Sequence, residues 1–345
     1  MRMARCSNDA TTLRKLRNRI PAALLLACAL LISSGLGGQA WAQTERARVG
    51  ILAFSTTADD PRLEVSLDAF RSTLADRGWI EGKNVTFEYQ SANSDPSQFA
   101  VAAAALVELK VDVILATSAP ALRAAYGATR TIPIVAVDYT TDPIAEGYVE
   151  SYGRPGGNVT GIFLDAPDFA GKWFELLNAV IPNLSSVAVV WDPGPGTTHL
   201  QAVRNVAGLL DINLQVLEVR TPEDIDQAFN ALREVPQGVI FLPSPMIHGQ
   251  TPRLARLALI HRLPATSMAL KFADAGGMLA YGPHLNSTWE RNAVLVAKIL
   301  DGSDPAELPV ERPTKIQLIV NMRTARTLGI TIPQSILLRA DEVIR

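Results

Sequence analysis

Hydroxyl and carboxylate side chains recur just after short apolar runs, and these are the residues with chemistry to offer. Thr117 and Ser118 stand before Ala119 and Pro120, after Val-Asp-Val-Ile-Leu-Ala116. Asp138 and Tyr139 follow Pro133–Val137, and Asp142 precedes Pro143. Further along come Asp192 after Val187–Trp191, Ser244 after Gly238–Leu242, and Met268 and Tyr281 at the ends of two later runs. Phe54, Ser55 and Thr56 close the first run. Hydroxyls at a helix start, together with its free N–H groups, suit a carboxylate. Aspartates suit an ammonium or a ligand hydroxyl. Phe54, Tyr139 and Tyr281 offer an aromatic floor. Each polar residue has a competing use, because a Ser, Thr or Asp after a strand is also the ordinary helix N-cap, and Asp142 before Pro143 is especially cap-like.

The residues of bond-breaking chemistry are not arranged for it. The four histidines, His199, His248, His261 and His284, form no H-x-x-x-H or H-E-x-x-H pair. No G-x-S-x-G elbow, P-loop or G-x-G-x-x-G turn is present. Both cysteines, Cys6 and Cys28, fall in the N-terminal 42 residues, so the rest of the chain has no disulfide, thiolate nucleophile or Cys-held metal. This pattern speaks for binding, with no cofactor and no metal, and against an enzyme.

The elements that must position these residues alternate. Continuous apolar strands at Arg48–Phe54, Val85–Tyr89, Val111–Ala116 and Pro133–Val137 are separated by helical runs at Pro61–Gly78, Pro96–Lys110 and Ala119–Thr129. Such strands belong to a parallel sheet covered on both faces. The rhythm breaks at Gly153–Gly161, which holds four glycines and a proline, and restarts with a helix at Pro167–Ile181. Strands follow at Val187–Trp191, Leu214–Val219, Gly238–Leu242, Pro264–Met268 and Gly277–Tyr281, then a helix at Asn286–Leu300 and a strand at Lys315–Val320. Pro222–Val235 and Ser335–Ile344 read as helical. The expected fold is α/β: two Rossmann-like, doubly wound parallel-sheet lobes joined by hinge crossings, with Gly153–Gly161 as a crossing. The first lobe takes residues 43–160 with helix 286–302, and the second takes 161–285 with parts of 303–345. In such sheets ligands bind beyond the carboxyl ends of the strands, where the polar residues above cluster.

Residues 1–42 read as an export signal. Six basic residues against one acid precede the apolar run 22–32, and Ala40-Trp41-Ala42 follows as a cleavage site. Cleavage after Ala42 by a Sec-type route is expected, with lipidation at Cys28 the lesser alternative and an uncleaved anchor a further one. The net charge is −2, so without the leader's +5 the remainder stands at −7, a poor match for nucleic acid.

Motifs along the whole remaining chain resemble the ABC transporter substrate-binding family of the tryptophan-binding type, in the type I periplasmic binding protein fold. They include Gly78-Trp-Ile-Glu-Gly-Lys-Asn84, Asp142-Pro-Ile-Ala-Glu-Gly147, Arg154-Pro-Gly-Gly-Asn-Val-Thr-Gly161, Gly276-Gly-Met278 with Tyr281-Gly-Pro283, and Leu308-Pro-Val-Glu-Arg-Pro-Thr-Lys315. The resemblance implies a periplasmic receptor, monomeric by default. It binds an aromatic amino acid or related carboxylate between its lobes and hands it to an ABC permease in the inner membrane. It carries Thr117, Ser118 and Asp142 over as ligand residues. This chain departs from the pattern at Asp192, where asparagine is common, at Ser244, where aspartate is frequent, and at Asp138-Tyr139, where smaller residues stand. The rival readings are a ligand sensor of the same fold that signals to a membrane receptor, and an exported enzyme.

Overall fold

The computed structural model describes residues 46–56, 61–164, 166–232 and 235–345. The expected leader, the cleavage point at Ala42 and the lipidation alternative at Cys28 lie outside the described residues.

The first sheet is built from β1 (Ala47–Ala53), β2 (Val85–Ser91), β3 (Val113–Ala116), β4 (Ile134–Asp138) and β5 (Val159–Phe163). Its order is β2-β1-β3-β4-β5, with every pair parallel. The period-2 alternation of a strand sorts its side chains between two cores. Ile114 and Ala116 face the helices Phe99–Glu108 and Ala119–Ala128, while Val113 and Leu115 face the opposite layer. That opposite layer is α1 (Pro61–Asp76), which buries Leu67, Phe70 and Leu74 at helical spacing, and a helix from far downstream. The helices Phe99–Glu108 and Ala119–Ala128 are α2 and α3.

The chain then enters a second sheet through α4 (Ala166–Val180), β6 (Ser186–Trp191), α5 (Thr198–Leu209), β7 (Asn213–Glu218), α6 (Asp224–Asn230), β8 (Gly238–Phe241), α7 (Pro245–Gly249), α8 (Thr251–Ile260), β9 (Ala265–Ser267), α9 (Lys271–Asp274) and β10 (Leu279–Pro283). Helix α10 (Leu285–Leu300) returns to the first sheet, where Trp289, Ala293 and Val296 join the core behind β1 and β3. The chain crosses once more to β11 (Ile316–Asn321), α11 (Met322–Leu328), α12 (Gln334–Leu337) and β12 (Glu342–Ile344). The second sheet runs β12-β11-β10-β9-β8-β6-β7, parallel except that β11 is antiparallel to β10. The α4/α5 layer covers one face with Trp173, Phe174 and Leu200, and α6 to α9 cover the other with Phe229, Leu254 and Phe272.

Three connections join the lobes: Phe163 to Ala166, Pro283 to Leu285, and Glu311 to Ile316. They are tied to one another. Glu311 bridges Ile162 beside β5, with Phe163 N–H donating to Glu311 O at 2.9 Å, and His284 N–H donates to Lys315 O at 2.9 Å.

Several expectations need correction. Gly153–Gly161 is no crossing. Its last three residues are the start of β5, inside the first sheet, so that sheet runs past residue 160 and the chain leaves it after Phe163. Gly161 is needed there for close approach: it sits at φ +138°, and a Cβ would lie 2.3 Å from the Ala136 carbonyl oxygen. The chain end is not one helix. After α12 the run Glu342–Ile344 pairs with β11 as a strand. The helix expected over Pro222–Val235 shrinks to Asp224–Asn230.

Candidate functional site

Five strand-end loops carry the polar residues, and local hydrogen bonds decide which of those residues have atoms to spare. After β1, Phe54 stacks on Phe99 with centroids 6.2 Å apart, and its carbonyl accepts the Ser94 N–H, which fixes Ser55 and Thr56 as half-buried loop residues. After β3, the Thr117 hydroxyl donates to Leu52 O at 3.1 Å. Ser118 caps α3 by accepting the Ala121 N–H at 3.4 Å, and Ala119 is buried in the first turn. The cap uses the Ser118 oxygen and leaves its hydrogen to donate.

Asp138 is fully buried at the end of β4. It accepts the N–H and hydroxyl of Thr140 at 2.8 and 3.0 Å, and those of Thr141 at 3.2 and 2.5 Å. Burial pushes its carboxyl above the ordinary range, against these four donors. Its oxygens are spent on its own turn. Asp142 is exposed and caps the next turn through Ile144 and Ala145 N–H at 2.9 and 3.2 Å. Tyr139 lies between them, its ring packed against the cores of both lobes and its hydroxyl buried beside Thr288.

In the second lobe Asp192 follows β6 half-buried, and one carboxylate oxygen accepts the Gly194 N–H at 2.8 Å. Burial raises its pKa; the Gly194 N–H, the Ser244 hydroxyl beside it and the charge of Arg220 oppose that rise. Among the described residues it has no ion-pair partner. Ser244 is buried and caps α7 through Ile247 N–H at 2.9 Å. Met268 is buried in the α4/α5 core. Tyr281 is mid-strand rather than at a strand end. It faces α4, with Phe169 at 5.4 Å, and its carbonyl accepts the Trp173 indole N–H at 3.3 Å.

Besides the packing of the Tyr139 ring, two residues make hydrogen bonds between the lobes among the described residues. The Arg123 guanidinium, on α3, donates to Gly194 O at 3.4 Å and Pro195 O at 3.3 Å. His199, near the start of α5, bonds Tyr139 O through Nε2 at 2.5 Å. A carbonyl can only accept, so Nε2 carries the proton. Burial pushes the imidazole down to about 4, so it is neutral at pH 7, and the bond to Tyr139 resists that shift. The loops after β3 and β4 therefore face the loop after β6. Neither Arg123 nor His199 was singled out by sequence. His199 stands at the start of the helix after β6, a placement that could have pointed to it, whereas spacing along α3 carries no sign that Arg123 reaches another lobe.

Among the described residues no cluster of histidine, cysteine, aspartate and glutamate could hold a metal, and no helix is long and apolar enough to cross a membrane. Two sheets with facing strand-end loops and three crossings define a two-lobed solute-binding protein.

A family model described as ABC transporter substrate binding protein matches residues 50–344, and the chain belongs to that family. It is 26% identical over 286 residues to a Tyrosine-binding protein of Clostridioides difficile, covering 80% of each chain. A conserved domain protein of Vibrio cholerae superposes with a TM-score of 0.79 at 26% identity, over 87% of this chain and all of that one. The ABC domain of Streptococcus pneumonia in complex with L-Trp also gives 0.79, at 22% identity over the same shares. The fold is that of the type I periplasmic binding proteins, and the chain is a small-molecule-binding protein with an ABC permease as the partner that its family implies.

Proposed function

We propose that this chain is the extracytoplasmic receptor of an ABC importer and binds an aromatic amino acid, or a related carboxylate, in the cleft between its lobes. The observation that carries the reading is Asp192: a half-buried carboxylate at the facing loops that forms no ion pair among the described residues, the nearby charge of Arg220 being already paired with Glu218. A desolvated, unpaired charge is costly, and a ligand ammonium removes that cost. Ser118 and the first turn of α3 are the donors for a solute carboxylate, since Ser118 keeps a free hydroxyl hydrogen. Thr117 cannot serve as a donor while it bonds Leu52, and it acts as an acceptor or as wall. Phe54 and Tyr139 are the aromatic surfaces, with Ser55, Thr56, Ala119 and Met268 as lining. Asp138 holds the Tyr139 loop in place, and Asp142 stays a cap. The relatives that bind tyrosine and tryptophan support an aromatic solute. The receptor acts as a monomer, takes no cofactor, binds no nucleic acid and returns its solute unchanged. Its leader ends at Ala42.

A thermal-shift screen against aromatic amino acids, aromatic acids and other small carboxylates tests the proposal. A solute at 100 times its Kd adds about 2.7 kcal/mol of stability, which such a screen detects. A folded protein, free of copurified ligand, that shifts with nothing in the panel sinks the aromatic-carboxylate assignment.

A further inference from the structure

A cavity of about 210 Å³ lies where the lobes are joined, lined by Leu164, Phe169, Tyr281 and Ile316 together with Asp168 and Arg312. All three crossings border it: Leu164 stands in the first, Tyr281 just before the second, and Arg312 and Ile316 in the third. None of these residues belongs to the strand-end loops after β1, β3, β4, β6 or β8, so the cavity shares no lining residue with the proposed cleft.

Its chemistry is mixed in a particular way. Phe169 and Tyr281, 5.4 Å apart, make an aromatic wall, and Leu164 and Ile316 add aliphatic surface. One carboxylate, one guanidinium and the ring of Pro313 complete it. The Tyr281 ring already has the Lys172 ammonium 5.9 Å from its centroid, within the range of cation–π attraction. Burial and the carboxylates of Glu175, Asp168 and Asp341 all raise the Tyr281 pKa, which marks this side of the cavity as favourable to positive charge. Arg312 is held 5.2 Å over the Tyr152 ring, on the first-lobe side. The volume is below the 300–1,000 Å³ or so of pockets for drug-sized ligands. Taking about 30 Å³ per water, it holds the equivalent of about seven waters.

We propose that this cavity is a second binding site, for a small aliphatic zwitterion such as a branched α-amino acid. The ammonium lies toward Asp168 and the Tyr281 ring, the carboxylate toward Arg312, and the side chain against Phe169 and Ile316. An occupant braces the crossings, which are the segments whose backbone must turn if the lobes move. It therefore couples to any solute whose binding changes the lobe angle, and by linkage that solute changes the affinity of this site by the same factor.

Calorimetry at two temperatures tests the site with L-leucine, and with isopentylamine and 4-methylpentanoate as analogues that each lack one charge. The proteins compared are the unmodified chain, Asp192→Asn, and the double variant Asp168→Asn, Arg312→Gln. L-Leucine is expected to bind the unmodified protein and Asp192→Asn equally, both analogues at least tenfold more weakly, and the double variant to lose at least tenfold in L-leucine affinity. No L-leucine binding to the unmodified protein overturns the proposal. So does equal affinity in the double variant, or loss of binding in Asp192→Asn, which would move L-leucine to the cleft. Failure of the cleft assignment itself appears elsewhere, in the thermal-shift screen.

Discussion

Asp138 closes β4 and Asp192 follows β6, and burial pushes both carboxyls above the ordinary aspartate range. The difference between them lies in their partners. Asp138 accepts four hydrogen bonds from Thr140 and Thr141, whereas Asp192 keeps acceptor capacity beyond Gly194. An ammonium binds the ionised form of Asp192, so protonation competes with the solute. Affinity should therefore fall as pH drops through the raised Asp192 pKa, beginning above the pH at which an ordinary aspartate titrates. Asp192→Asn should weaken binding about tenfold or more, the scale of a charge-assisted bond, and flatten that pH dependence. Titration calorimetry from pH 4 to 8 checks both, and a variant with an unchanged profile would remove Asp192 from the site. His199 predicts a stability effect instead. Its pKa falls from 6.5 unfolded to about 4 folded, so the unfolded chain takes up a proton first as pH drops. Stability is lost between pH 6.5 and about 4, by on the order of 3 kcal/mol. His199→Gln, which retains a donor for Tyr139, should lose less over that window in urea unfolding. Parallel losses would assign the acid sensitivity to other groups. Sequence placed Asp138 and Asp192 alike because both follow apolar strands, and only the turn geometry at Thr140 and Thr141 separates them.

At the level of elements, the parallel strands of both sheets were legible because buried strands leave long apolar runs such as Val113–Ala116 and Gly238–Phe241. β5 was not, because two of its first three residues, Thr160 and Gly161, break that signature and the glycines before it read as loop. The physical reason is packing. Gly161 brings β5 so close to β4 that a Cβ would meet Ala136 N at 2.4 Å as well as its carbonyl oxygen. Gly161→Ala should therefore force the pair apart and destabilise the protein by about 3 kcal/mol or more. Gly153→Ala, where nothing lies within 4 Å of the new Cβ, should stay within about 0.5 kcal/mol. Chemical denaturation compares the two. A mild Gly161→Ala would mean that β5 is not held at this distance. β12 was missed for a different reason: three residues at an edge carry no period, and only pairing with β11 makes Glu342–Ile344 a strand.

Over the whole molecule, the described residues join the lobes through the packing of Tyr139 and two small hydrogen-bonded contacts. His199 to Tyr139 is buried, so breaking it exposes a desolvated carbonyl and costs more than an ordinary hydrogen bond. Arg123 is exposed, and its bonds to Gly194 O and Pro195 O are long, so they add only about 1 kcal/mol to the arrangement in which the lobes touch. A bias of that size does not hold two lobes shut, but it changes their populations by about fivefold. A solute that contacts both loops adds to the same bias, since a ligand shifts an equilibrium only by its differential affinity for the two states. Arg123→Ala should thus leave the fold and the solute contacts intact, enlarge the solute-free protein in small-angle scattering, and weaken solute binding a few-fold, mainly through faster release. With saturating solute, variant and unmodified protein should give the same compact profile. If the solute-free profiles were already identical, Arg123 would be a surface contact with no part in closure. If neither protein compacted on binding, the two-lobe closure itself would have to be abandoned.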